Sequence, residues 1–312
     1  MGKRESLIEA RYRYNAFGLT IQSDIPLPEL PASSHESKAD IHIFLSERDG
    51  PFEAPLSESS HFAINYKEAL LKGDGFSLTI VDGKQILIHC HEVDEYQALI
   101  RLRILGAGIG LLLQQRGYLV LHGAAVVGDK GAAIILGNSG DGKSTLCAQL
   151  VQQGYRLLGD DKCAIRFDDN AIYALPSIPN IKLNKPSIEL LGFSHQETTM
   201  ICATHSKVYV NLGAAFEPEE VPILAGFVLG QADHVSLSQL TQMNAFDTFI
   251  QHSYRKQKLI GGGLHKIHFT QCHHMAKSLK MYRYLRPLSG KILSKPSPVL
   301  SDCIEELIGS GK

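Results

Sequence analysis

Apolar and polar residues follow two different rhythms along the chain. In the first 92 residues the rhythm is that of short strands. Residues 17–21 and 41–45 carry strand chemistry, and residues 76–81 and 85–89 flank an Asp82-Gly83 pair, the signature of a tight hairpin. The proline-studded stretch 25–31 reads as an extended loop and the polar run 33–38 as a surface loop. Residues 94–115 then change to a helical period, with Leu99, Leu102, Leu105, Ile109 and Leu113 on one broad apolar face that is expected to pack between two units. Gly106, Gly108 and Gly110 each cost a helix about 1 kcal/mol against alanine, so close approach of a neighbouring backbone is expected there.

From residue 117 strands and helices alternate. Residues 118–127 read as a strand, Gly128-Asp129-Lys130-Gly131 as a turn, and residues 132–136 as a fully buried strand. Segment 145–151 has helical spacing, Gly154 ends it, and the short strand 155–158 stops at Gly159-Asp160-Asp161. A hairpin over residues 162–167 and 171–175 turns at Asp168-Asp169-Asn170, and residues 176–183 run extended. Strands are expected at 207–210 and 225–229, and helices from 243, over 269–281 and over 301–308, with Gly261-Gly262-Gly263 as punctuation. The predicted organisation is a small, mainly β N-terminal domain (residues 1–92), a connecting helix (93–116) and an α/β domain (117–312).

Composition narrows the setting. With 31 Lys and Arg against 32 Asp and Glu, the chain has no basic footprint for nucleic acid or an anionic membrane. Six cysteines (Cys90, Cys147, Cys163, Cys202, Cys272, Cys303) are dispersed without a paired motif, as expected of reduced thiols in a cytoplasmic protein. His89-Cys90-His91 alternates across a strand, which points Cys90 away from both histidines, and Cys272-His273-His274 lacks a partner cluster at metal-ligand spacing; both read as structural. The charged start Met1-Gly2-Lys3-Arg4 precedes no long apolar core, so no secretory signal is expected. The most apolar run, 102–113, contains Arg103 and falls short of the roughly 18 residues of a bilayer span, so no membrane partner is expected.

The chemistry concentrates at Gly137-Asn138-Ser139-Gly140-Asp141-Gly142-Lys143-Ser144, which fits G-x-x-x-x-G-K-[ST] at every fixed position and sits between a buried strand and a helix. Glycines let such a loop turn its amides inward, and the helix beginning there adds its positive end, so polyphosphate is the expected ligand. Lys143 would neutralise the β- and γ-oxygens of a nucleotide such as ATP, and the Ser144 hydroxyl would ligate Mg²⁺. The turn at 128–131 means that the loop is entered from a β-hairpin, unlike the first unit of a doubly wound sheet. One helix later, Asp160 and Asp161 end a strand where a metal ligand and a proton acceptor are wanted; the base is assigned to Asp160 and the metal to Asp161, next to Ser144, although adjacent carboxylates titrate as a coupled pair that sequence does not separate.

His122-Gly123, the glycine loop and the Asp160-Asp161 pair, in this order and spacing, resemble the catalytic domain of HPr kinase/phosphorylase over roughly residues 118–185. The resemblance implies a P-loop kinase domain of the HPr kinase/phosphoenolpyruvate carboxykinase type that phosphorylates a serine on a partner protein. It further implies that His122 lies by the transferred phosphate and orients the catalytic aspartate, and that a basic residue near Lys182 faces the phosphates. Arg255 is a second candidate phosphate contact, near the end of a helix, and Thr145 stands where the family usually has an acidic residue. The family's glycine- and isoleucine-rich signature is absent. Residues 14–19 and 23–30 are similar to the opening of divergent HPr-kinase-like proteins from lasso-peptide clusters, some of which phosphorylate the C-terminal serine of the precursor. The expected partner is therefore a peptide or small protein, with a homo-oligomer left open. Kinases of HPr or of a small molecule, and a regulatory P-loop ATPase, are the alternatives.

Overall fold

The computed structural model describes residues 12–34, 38–50, 52, 54–168, 171–201, 206–287 and 295–311. The segment 1–11, part of the polar loop 33–38, Asp169-Asn170 of the expected hairpin turn and Cys202 lie outside the described residues. Contacts divide the chain into two compact units, Met1–Arg116 with Gln257–Leu264, and Gly117–Lys256 with His265–Lys312.

The first unit holds strands Tyr12–Ala16 (β1), Leu19–Ser23 (β2), Ile41–Ser46 (β3), Ser57–Ser59 (β4), Phe62–Ile64 (β5), Glu68–Lys72 (β6), Phe76–Val81 (β7) and Gln85–Cys90 (β8). They form one sheet in the order β1-β2-β3-β8-β7-β6-β5-β4. Asp82 and Gly83 both take positive φ, 50° and 63°, as the primed turn between β7 and β8 demands. Phe17 was expected to open a strand; instead Phe17 and Gly18, at φ 56° and 66°, make the turn between β1 and β2.

The helix expected over 94–115 spans Val93–Gln115 but is not regular. It runs as Val93–Arg103 (α1), a π-helical turn at Ile104–Gly108, and Ile109–Gln115 (α2). A Cβ on Gly106 would meet nothing within 4 Å, and one on Gly108 would make ordinary contacts with Ile86 and Leu78. These two glycines therefore mark a widened helical turn rather than a close backbone approach. At 23 residues this stretch is long and apolar enough to cross a bilayer by length and composition, which corrects the shorter reading above. Its side chains Ile100, Ile104, Ile109, Leu112 and Leu113 are each at most 1% exposed.

In the second unit the strands are Leu119–Leu121 (β9), Gly123–Val127 (β10), Ala132–Leu136 (β11), Arg156–Gly159 (β12), Cys163–Phe167 (β13), Ile172–Ala174 (β14), Asn180–Asn184 (β15), Thr198–Met200 (β16), Lys207–Asn211 (β17), Val221–Gln231 (β18), Ser236–Gln239 (β19) and Lys280–Arg286 (β20). Helices are Lys143–Gln152 (α3), Lys185–Leu190 (α4), Gln242–Gln251 (α5), Lys256–Gly261 (α6), His265–Ser278 (α7) and Pro298–Ile308 (α8), with α6 falling mostly to the first unit. The antiparallel hairpin of β10 and β11 leads into the glycine loop, Gly123 facing Leu136 and Val127 facing Ala132. Strand β18 lies parallel to both β11 and β20 and joins the remaining strands of this sheet through β14. The helix expected over 269–281 ends at Ser278, and Met281 belongs to β20.

Side-chain alternation explains why β10 and β11 are apolar at every position. Ala124, Val126, Ala133 and Ile135 pack with Leu146 and Leu150 of α3 and Ile304 of α8, whereas Ala125, Ile134 and Leu136 pack with Phe249 of α5 and Met275 of α7. Both faces of the sheet are covered, so neither tolerates a polar stripe. Each fully buried Leu or Ile contributes about 1.5–3 kcal/mol against its exposed state. That rigidity fixes the end of β11, from which the loop springs. Burial also pushes the thiols of Cys163 and Cys272 up to about 12, which leaves them inert.

Candidate active site

The loop from Gly137 to Gly142 joins β11 to α3. Gly140 and Gly142 take left-handed φ of 95° and 83°, which a Cβ would oppose. Gly142 is the N-cap of α3 and brings no side-chain cap, so the positive end of the helix stays open to an anion. Asp141 closes the loop from within: its carboxylate accepts the Asn138 amide at 2.5 Å. Lys143, 7% exposed, folds back so that Nζ donates to the carbonyls of Gly137 (2.8 Å) and Asn138 (3.0 Å). Burial lowers its pKa, against the pull of Asp160 and Asp141.

Strand β12 delivers the acidic pair, and the two carboxylates have different neighbours. Asp160 accepts the Ser144 hydroxyl through Oδ1 (3.0 Å) and the Lys182 backbone amide through Oδ2 (2.9 Å). Asp161, at φ 74°, accepts Lys162 Nζ (2.7 Å) and Lys182 Nζ (3.0 Å) on Oδ2. Burial alone would raise the Asp161 pKa; Lys162 and Lys182 overcome it and hold the carboxyl well below the usual range. Lys182 is correspondingly raised by Asp161 although burial opposes its charge. Lys182 thus braces the acidic pair with both its amide and its ammonium. The earlier expectation that it contacts phosphate competes with that bond.

His122 occupies the bend between β9 and β10, anchored by its amide to the His252 carbonyl at 2.7 Å. Its Nδ1 lies 3.1 Å from the Asp161 carbonyl and 3.6 Å from Asp161 Oδ1. A carbonyl only accepts, so Nδ1 carries the proton and Nε2 is the acceptor of the neutral ring. Burial first, and Lys143 second, lower the His122 pKa and favour that neutral form.

These groups open on one cleft of about 440 Å³. The loop residues Ser139, Gly140, Gly142, Lys143, Ser144 and Thr145 line it together with His122, Asp160 and Asp161, and Lys182, Asn184, Ser187 and Lys207 complete the lining. Thr145 shares a hydrogen bond with Ser187 at 3.2 Å, and Asn184 caps α4 by accepting the Ser187 amide. Arg255 is not brought to this cleft: it lies exposed at φ 48°, its guanidinium 5.6 Å from the Tyr254 ring centroid.

Four neighbours escaped the sequence reading. Lys162, adjacent to the acidic pair, was legible as a counter-charge. Lys207 opens a strand that carries no local signal of chemistry. His252, 8% exposed, reaches the loop only because α5 ends beside β9; burial, Lys143 and His122 push it down to about 4. Arg286 lies just beyond the helix expected over 269–281, in a stretch to which no element was assigned and which is in fact the end of β20.

Two oxygens in the cleft have the donor chemistry that Mg²⁺ would take. Mg²⁺ takes hard oxygens and keeps several waters or phosphate oxygens. Ser144 Oγ and Asp160 Oδ1, 3.0 Å apart, supply two such oxygens on the lip of the loop. Asp161 Oδ2 is already shared by two ammonium groups. Among the described residues no group of three or more His, Cys, Asp and Glu could hold a metal ion, so a cation here depends on phosphate and water for its remaining ligands.

The chain matches no protein-family model, and no curated protein matches its sequence. Among solved structures it is similar to the HPr(Ser) kinase/phosphatase from Coxiella burnetii, at 12% identity and a TM-score of 0.29, over 61% of this chain and 93% of that one. At that score the likeness says nothing of chemistry, which rests on the cleft itself.

Proposed function

We propose that the chain is a Mg²⁺-dependent kinase that transfers the γ-phosphate of ATP to a serine hydroxyl of a peptide or small protein. The observation that supports this reading is the convergence of Lys143, the Ser144–Asp160 pair, Asp161 and His122 on one cleft beside an open helix N-terminus. Lys143 exchanges its bonds to the Gly137 and Asn138 carbonyls for phosphate oxygens, while the loop amides hold the rest of the polyphosphate. Ser144 and Asp160 would hold Mg²⁺, which when bound neutralises charge building up between the β- and γ-phosphates.

The two carboxylates then exchange the roles expected from sequence. Asp160, hydrogen-bonded to Ser144, is the metal-side residue, and Asp161, beside His122, faces the acceptor. The serine oxygen bonds to the γ-phosphorus, the bond to the β-bridging oxygen breaks, ADP leaves, and the hydroxyl proton passes to Asp161. A carboxylate kept ionised by two lysines is a weak base. Phosphoryl transfer nevertheless asks more for orientation than for base strength, because its transition state is loose. The most specific acceptor, the C-terminal serine of a lasso-type precursor, rests on the resemblance of residues 14–19 and 23–30 alone.

The test is incubation of the purified protein with Mg²⁺, γ-labelled ATP and serine-containing peptides. Label on a peptide serine is expected. Label found only on a small metabolite, or only released to water, would replace this reading with a small-molecule kinase or a regulatory ATPase.

A further inference from the structure

Behind the glycine loop, on the side away from the cleft, lies a buried arginine. Arg286 ends β20, whose parallel register with β18 from Ala225–Lys280 to Gln231–Arg286 fixes its position. It is 6% exposed, and its Nη2 donates to the carbonyls of Asp141 (3.1 Å) and Gly142 (3.4 Å). Its Nε is buried and has no hydrogen-bond partner among the described residues. Burying a guanidinium against carbonyls rather than a carboxylate is costly, so a compensating use is expected. Space points the same way: a Cβ on Gly142 would run into Arg286 Nη2.

The peptide unit is planar and trans, so its C=O and N–H point in opposite directions. Drawing the Asp141 carbonyl toward Arg286 turns the Gly142 N–H away from it; the Gly142 carbonyl also accepts the Leu146 amide at 2.9 Å, so Arg286 and the first turn of α3 together hold the Lys143 N–H. Gly142 and Lys143 line the cleft, whereas Arg286 does not. We propose that Arg286 is a positioning residue that aims the Gly142 and Lys143 amides at the polyphosphate and places a fixed positive charge behind it. This rests on the kinase reading only for the identity of the anion as a nucleotide; the aiming of the amides holds for any polyphosphate.

Arg286→Lys keeps the charge without the planar fork, and Arg286→Met removes both. Affinities for Mg-ATP and inorganic tripolyphosphate, KM for ATP, kcat and the melting temperature are measured for the full chain. The methionine variant is expected to weaken both anions by about tenfold or more and to raise KM for ATP by a similar factor with kcat little changed, the lysine variant falling between. A role confined to folding would instead lower the active fraction, and so kcat, at unchanged KM. That pattern, or anion affinities equal to wild type in either variant, overturns the proposal. Should the methionine variant fail to fold, the lysine variant decides by the same two readings. Arg286-dependent tripolyphosphate binding in a protein that phosphorylates no serine would sink the kinase reading and support this one.

Discussion

Replacing each aspartate of the acidic pair by asparagine separates their roles, because the structure gives the two substitutions different costs. Asp161→Asn leaves Lys162 and Lys182, 8% and 19% exposed, without the carboxylate they share. Removing one partner of a buried ion pair costs about 3–5 kcal/mol, and the 22% exposure of Asp161 puts the loss near the lower figure. The backbone adds nothing, since asparagine accepts the left-handed φ of 74° as readily as aspartate. At about 2–4 °C per kcal/mol for a domain of this size, the melting temperature should fall by about 6–12 °C. Asp160→Asn can keep both its contacts, its carbonyl accepting from the Lys182 amide and its NH₂ donating to the Ser144 hydroxyl. Exchanging charged for neutral hydrogen bonds costs about 1 kcal/mol, or about 2–4 °C. Thermal melts are read beside ATP affinity with and without Mg²⁺ and beside serine phosphorylation. Both variants should lose transfer, but only Asp160→Asn should lose the gain in ATP affinity that Mg²⁺ brings. An Asp161→Asn protein that melts with the wild type, or an Asp160→Asn protein that keeps the Mg²⁺ gain, would refute the reasoning.

Stability should fall as pH drops from about 6.5 to 4, because His252 is driven from the ordinary histidine value to about 4 and the unfolded chain takes up the proton first. The loss amounts to roughly 3 kcal/mol from this group, to which His122 and His268 add in the same direction; denaturant melts of His252→Gln across that window should show a shallower slope. Asp161 acts lower: its depressed pKa gives stability that is present above the unfolded value near 3.9 and is lost only as pH falls toward the folded one, so Asp161→Asn should flatten the acid limb below about pH 4. Gly226→Ala places a methyl against Met281 and Ile134 in the central strand, and a loss of about 1–3 kcal/mol is expected by urea unfolding. Lys143→Ala should weaken ATP binding by at least about tenfold, measured by calorimetry, and unchanged affinity would remove the loop from the site.

Local chemistry was enough to place the loop. Five apolar residues, three glycines and a lysine fix a strand, a turn and a helix start within a dozen positions, because each signal acts over its own few neighbours. The turn at 128–131 likewise made the hairpin of β10 and β11 legible, as did Asp82-Gly83 for β7 and β8. Adjacent aspartates at the end of β12 could be recognised as a pair in the same way. Their separate roles could not, since these depend on Ser144 and on Lys182, 16 and 21–22 residues away in sequence.

What the tertiary structure alone decided comes from strands that meet only through the sheet. Arg286 reaches the loop 144–145 residues earlier in the chain because β20 runs parallel to β18, and β18 to β11. His252 stands by Lys143 because the segment after α5 pairs with β9, and Arg255, three residues on, is carried outward by the same turn. A short-range pattern specifies which backbone shape a segment prefers. It holds no record of which side chain another segment brings to face it: in this cleft Lys182 helps to hold Asp161 ionised, and Arg286 takes the Asp141 carbonyl.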